Sequence, residues 1–160
     1  MASFSNSVSY KDFDLNFSFQ GSFGGKIFNA LNQQLEISTL GTNASTALLD
    51  RWTPTNLSNE IPRATSSPLG IITERYIEDA SFVRLKTITL GYTLPKSISS
   101  KIGTKSLKIY VSAENLITWT KYRGFDPEVS SYEQNNLYPG IDFGAYPNSK
   151  TFITGLNVTF

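Results

Sequence analysis

Apolar and polar residues alternate along much of this chain with a period of two. Over Phe13 to Phe23 the odd positions are Phe13, Leu15, Phe17, Phe19, Gly21 and Phe23, and the even positions are Asp14, Asn16, Ser18, Gln20 and Ser22. A strand places alternate side chains on opposite faces, so this segment predicts a strand with one aromatic face and one polar face. Its span of about eleven residues is what a tilted strand needs to cross a bilayer. Ser106 to Thr120 repeats the pattern, with Leu107, Ile109, Val111, Ala113, Ile117 and Trp119 on one parity and Ser106, Lys108, Ser112, Glu114, Thr118 and Thr120 on the other. Asn115 and Leu116 disturb its phase. Phe152 to Phe160 and the shorter Ser3 to Tyr10 are further cases. Over Phe82 to Leu94 the apolar parity switches: Val83 and Leu85 upstream, then Ile88, Leu90, Tyr92 and Leu94. A bulge near Lys86–Thr87 would reconcile the two halves.

The pattern predicts an all-β, antiparallel up-and-down meander with strands over about 3–10, 13–37, 76–94, 106–121 and 150–160. Connections alternate in length. Tyr10-Lys11-Asp12 is a tight turn, and Pro95 to Lys105 is short, with Gly103 suited to a turn. The segments 40–75 and 123–148 are long loops, rich in Pro and aromatics, and Ser45 to Arg51 suits one or two helical turns capped by Asn43 or Ser45. All short turns then lie at one end and all long loops at the other, as in membrane barrels. A soluble sandwich, its apolar stripe packed on a second sheet, predicts the same alternation.

Composition narrows the chemistry. The 160 residues include 11 Phe and 8 Tyr, only 17% charged residues, a net charge of +1, and no Cys or His. There is no basic footprint for nucleic acid. Disulfide scaffolds and Cys-based metal sites are excluded, and so are Ser-His-Asp and Cys-His nucleophile devices. No apolar run reaches the length of a spanning helix. The N-terminus lacks the basic and apolar regions of a signal peptide, so the chain is read as cytoplasmic, as the downstream part of an exported precursor, or as a fragment beginning at Met1. Asp126, Glu128 and Asp142 share one loop but fit no EF-hand spacing, and Asp126 before Pro127 reads as a turn cap. Gly103-Thr104-Lys105-Ser106 lacks the upstream Gly of a phosphate loop. Asp14 and Glu114 lie on separate strands and make no supported glycosidase pair. No catalytic residue, cofactor site or metal site is expected, and the protein is not read as an enzyme.

Several stretches carry a further signal: Tyr10-Lys11-Asp12-Phe13-Asp14-Leu15 with Phe19-Gln20-Gly21-Ser22-Phe23-Gly24, Asp50-Arg51-Trp52-Thr53-Pro54 with Ile61-Pro62-Arg63, and Tyr76 to Lys86 with Leu90-Gly91-Tyr92-Thr93-Leu94-Pro95. Ala113-Glu114-Asn115-Leu116, Tyr122-Arg123-Gly124-Phe125-Asp126-Pro127-Glu128 and Gly140 to Phe160 extend it to the end of the chain. In this order the stretches resemble the C-terminal end of the SusC/RagA family of TonB-linked outer-membrane proteins. The resemblance implies the last five or so strands of a barrel of about 22 strands. The plug, the TonB-contact segment and the rest of the barrel are then outside this chain. It further implies an importer of oligosaccharides or peptides in the outer membrane of a Gram-negative, Bacteroides-type bacterium, working with a SusD-like surface lipoprotein and the TonB complex. Phe13, Leu15, Phe17, Phe19, Leu107, Ile109 and Val111 are expected to face lipid. The polar parity, Asp14, Asn16, Ser18, Gln20, Lys108 and Glu114, would line the lumen. Gly155, Leu156, Val158 and Phe160 resemble the C-terminal signal read by the outer-membrane assembly machinery, with Ile153 departing from its usual polar residue. Trp52, Tyr132, Tyr138 and Tyr146 in the long loops are candidates for ligand or lid contact. The alternatives kept open are a soluble β-sandwich carbohydrate-binding module and a porin-like channel closed by oligomerisation.

Overall fold

The computed structural model describes residues 1–37, 43–64, 73–128 and 140–160. The chain forms two compact units: residues 1–24, 81–121 and 148–160 make one, and residues 25–80 and 122–147 the other.

The first unit is an antiparallel meander of five strands: β1 (Ala2–Tyr10), β2 (Phe13–Ser22), β5 (Phe82–Thr93), β6 (Ser106–Thr120) and β8 (Thr151–Thr159). They lie side by side in the order β1-β2-β5-β6-β8. The β1–β2 hairpin turns on Lys11 and Asp12, with Tyr10 opposite Phe13 and Lys11 at φ +54°. The β5–β6 connection contains a one-turn helix α2 (Lys96–Ser99) begun by Pro95, and it ends on Gly103 at φ +74°, a left-handed conformation that a Cβ would disfavour.

The phase switch in β5 is a bulge. Phe17 pairs with Ile88 and Ser18 with Thr87, but Phe19 pairs with Leu85, so Lys86 is the extra residue. Opposite it, Leu85 pairs with Ile117 and Thr87 with Glu114, which leaves Asn115 and Leu116 against Lys86. Asn115 has φ +51°. The two irregularities lie side by side and return Val83 and Leu85 to the apolar face.

The second unit holds a three-stranded sheet ordered β4-β3-β7, from β3 (Lys26–Asn29), β4 (Ile77–Asp79) and β7 (Ile141–Asp142). β3 is antiparallel to β4 and parallel to β7. Helix α1 (Ala30–Leu35) follows β3, capped by the Asn29 side chain accepting from the Asn32 N–H at 3.0 Å.

Two expected strands are corrected. The strand over 13–37 stops at Ser22: Gly24 takes φ +77°, and residues 26–29 pair in the second sheet before α1 begins. The strand over 76–94 also divides, because Ile77–Asp79 pairs with β3 and only Phe82–Thr93 joins the meander. Ala-Leu-Asn-Gln-Gln-Leu after a capping Asn is a helical sequence, and local propensity there prevails over continued alternation. The helical turn expected over Ser45 to Arg51 is a 3-10 turn at Thr46–Asp50, capped by Ser45.

Candidate functional site

The meander has two chemically distinct faces. Register places Tyr10, Phe13, Tyr92, Ile109 and Leu156 in one row across all five strands, and Val8, Leu15, Leu90, Val111 and Thr154 in the next. Phe17, Ile88, Ala113 and Phe152 follow, then Phe4, Phe19, Leu85 and Ile117. Ring pairs run across this face: Phe13–Tyr92 at 4.6 Å, Phe17–Phe19 at 5.9 Å and Phe19–Trp119 at 6.2 Å between centroids. All seven residues expected to face lipid lie on it. Yet the face is open: Phe4 is 57% exposed, Leu90 50% and Leu156 66%. An apolar surface that spans five strands is far larger than a scattered set of exposed hydrophobics.

The opposite face is hydrogen-bonded. The Ser18 and Thr87 hydroxyls meet at 2.6 Å, and those of Thr89 and Ser112 at 2.7 Å. Arg84, 1% exposed, donates from Nε to Thr118 Oγ1 at 2.9 Å. Lys108 Nζ reaches Asp14 Oδ2 at 2.8 Å. Of the residues expected on this side, Ser18 thus joins β2 to β5, and the separate Asp14–Lys108 pair joins β2 to β6. In β8 the four residues of the expected assembly signal divide by face: Gly155 is on the polar side opposite Tyr110, whereas Leu156 and Val158 are on the apolar side. Phe160 follows β8 and is exposed.

In the loop unit, Trp52 belongs to a tight local fold. Its N–H donates to the Ile61 carbonyl at 2.9 Å, Thr53 bridges Asn56, and Asn56 Nδ2 donates to Asp50 Oδ1. An open groove of about 330 Å³ is lined by Trp52, Asn59, Glu60, Ile61, Pro62 and Arg63. Tyr146 is almost wholly exposed. Tyr132 and Tyr138 lie outside the described residues. Asp126 accepts from the Glu128 N–H at 3.0 Å, the turn cap read from the sequence. Asp142 is fully buried and has three protein donors: Tyr122 Oη at 2.7 Å, and the Gly144 and Ala145 N–H groups. No three acidic groups gather in metal-binding geometry among the described residues.

A second cluster was not anticipated. Glu78 on β4 accepts from Asn29 Nδ2 (3.0 Å), from the Arg123 N–H (3.0 Å) and from Arg123 Nε (3.1 Å). Burial by itself would raise the Glu78 carboxyl, but the Arg123 side chain and N–H together with Asn29 outweigh it and hold it below its ordinary range. Arg123 is correspondingly raised by its bond to Glu78. Beside it the Tyr122 hydroxyl is pushed well up, first by burial and then by its bond to Asp142. Arg75 pairs with Glu36 at 3.0 Å and donates to the Glu60 carbonyl. The sequence signal for this cluster was present only as the motifs Tyr76 to Lys86 and Tyr122 to Glu128, which carry its members without saying that they meet.

No protein-family model matches the chain. Individual relatives do. TonB-dependent receptor P3 of Formosa agariphila is 41% identical over 98% of this chain and 16% of its own length. TonB-dependent receptor SusC of Bacteroides thetaiotaomicron is 31% identical over 96% of this chain and 14% of its own length. Among solved structures, the RagAB peptide transporter superposes with a TM-score of 0.84 at 31% identity, covering 99% of this chain and 17% of that one. The chain belongs to the SusC/RagA family of TonB-dependent receptors. It spans about one sixth of the length of the relatives it matches. As a piece of a SusC/RagA-family barrel, the meander is a partial wall, and β1 and β8 each pair on one side only within it. That unpaired state suits strands that continue into a larger sheet, since exposed edges otherwise invite aggregation.

Proposed function

We propose that this chain is the C-terminal wall of a SusC-like, TonB-dependent importer that carries oligosaccharides or peptides across the outer membrane of a Bacteroides-type bacterium, with a SusD-like lipoprotein over its external loops. The observation that carries the reading is the open apolar face, continuous through β1, β2, β5, β6 and β8 and backed by a hydrogen-bonded polar face. Lipid contact would take Phe13, Leu15, Phe17, Phe19, Leu107, Ile109 and Val111 out of water. The polar face then looks into the lumen and towards the plug. Gly155, Leu156, Val158 and Phe160 serve in addition as the strand that the assembly machinery receives by edge pairing. Trp52 and Tyr146, with Tyr132 and Tyr138, belong to the loops facing the lipoprotein and the solute. Energy from the TonB complex would act through the plug, on residues outside this chain. The protein's role is transport and not chemistry on the solute. Five strands do not enclose a pore, so the activity belongs to the whole barrel.

Spin labels on the full-length receptor in lipid vesicles test the reading. Labels at Val111→Cys and Leu90→Cys should collide with oxygen dissolved in the bilayer, and a label at Ser112→Cys with a water-soluble nickel chelate. Water accessibility at Val111 and Leu90 equal to that at Ser112 would overturn it. A soluble sandwich requires a second sheet over this stripe, and the exposure of Phe4, Leu90 and Leu156 speaks against one.

A further inference from the structure

One row of the polar face sets a glycine beside a larger side chain twice: Ser9, Asp14, Gly91, Tyr110 and Gly155 lie directly opposite one another across the five strands. The two glycines are filled from the neighbouring strand. A Cβ on Gly155 would overlap Cζ and Oη of Tyr110 and lie 2.6 Å from its Cε1, so the hydroxyl end of the tyrosine ring occupies the space that a side chain at 155 would need. A Cβ on Gly91 would lie 2.7 Å from Asp14 Oδ2, because the Lys108–Asp14 ion pair passes over that position from β6 to β2.

We propose that the Tyr110 ring seated on Gly155 is a steric lock that sets the register of the C-terminal strand. Alternation cannot do this alone. A one-residue slip of β8 would invert its faces and is strongly opposed. A two-residue slip keeps Phe152, Leu156 and Val158 on the apolar side and costs little by pattern. Such a slip sets Tyr110 against Ile153 or Asn157, which flank Gly155 two residues to either side on the polar side of β8. Both carry a Cβ where the ring now lies, and only Gly155 leaves that space empty. Within this sheet β8 pairs with β6, so the Tyr110–Gly155 contact acts on the ladder between the C-terminal strand and its described neighbour. This role for Gly155 is separate from recognition by assembly machinery and needs none.

The test uses the full-length receptor refolded in detergent, with no assembly machinery present. Cysteine pairs Ser112→Cys/Ile153→Cys and Ser112→Cys/Thr151→Cys report the native and the slipped register by disulfide formation. Gly155→Ala and Tyr110→Ala are each expected to lower the native-to-slipped ratio, by roughly tenfold. Tyr110→Phe, which keeps the ring, should leave it unchanged. The double variant should lose no more than either single one. If Gly155→Ala prevents folding outright, recovery on adding Tyr110→Ala supports the lock, and failure in both backgrounds overturns it. An unchanged ratio in Gly155→Ala, or losses that simply add, would also overturn it. Because all readouts are strand register, they stand or fall independently of whether the receptor imports anything.

Discussion

Glu78→Gln is the most informative single change in the loop unit. The carboxylate accepts from Asn29 Nδ2, from the Arg123 N–H and from the Arg123 guanidinium. A carboxamide has one acceptor oxygen and one donor group. Whichever way it turns, its NH2 confronts either the Arg123 N–H or the Arg123 and Asn29 donors. A hydrogen bond to a charged acceptor contributes about 1.5–3 kcal/mol. The Arg123 guanidinium is half exposed, so its ion-pair share is taken as under about 1 kcal/mol. The expected loss is then about 2–3 kcal/mol of local stability, or roughly 30- to 150-fold in the opening equilibrium. The Arg123 amide is itself one of the donors, so hydrogen exchange of the peptide spanning Tyr122–Arg123 reads this number directly. Glu74→Gln, at an exposed carboxylate nearby, is the control. Acid should mimic the substitution. The folded carboxyl sits below its ordinary value of 4.5, so its contribution is complete above about that pH and is lost as the pH falls through the folded value. Exchange at Arg123 that matches the control, or that is indifferent to acid in the unsubstituted protein, would refute the reasoning.

Other expectations follow from the two faces and from Asp142. Val111→Arg on the apolar face should cost about 2–4 kcal/mol in refolding into lipid vesicles, and Ser112→Arg on the polar face far less. Asp14→Asn should cost under about 1 kcal/mol in the same assay, because Lys108 and Asp14 both retain solvent access. Tyr122→Phe strips the hydroxyl donor from fully buried Asp142 and should destabilise by about 1–3 kcal/mol, read as faster exchange at Gly144 and Ala145. Because the Tyr122 hydroxyl is raised by burial and by its bond to Asp142, an ultraviolet titration compared with that of Tyr122→Phe should show the Tyr122 ionisation displaced above that of an ordinary tyrosine.

What the linear order of residues determined is the local part of this structure. Period-two alternation specified β1, β2, β6 and β8 and the face that each apolar side chain joins, because side-chain direction in a strand depends only on parity. The parity switch between Leu85 and Ile88 located the bulge for the same reason. The 13–37 strand shows the limit: alternation says that a segment is extended, not which sheet receives it, and the chain left the meander at Gly24 to pair elsewhere. Tertiary structure alone decided the contacts between distant positions. Glu78 and Arg123 are 45 residues apart and Asp14 and Lys108 are 94 apart, and nothing local announces either pair. Tyr110 reads as a lone aromatic on a polar parity, and Gly155 as a weak point in a strand. Only their register opposite one another turns the missing side chain into a seat for the ring, since a cavity is a property of two strands and of neither one alone.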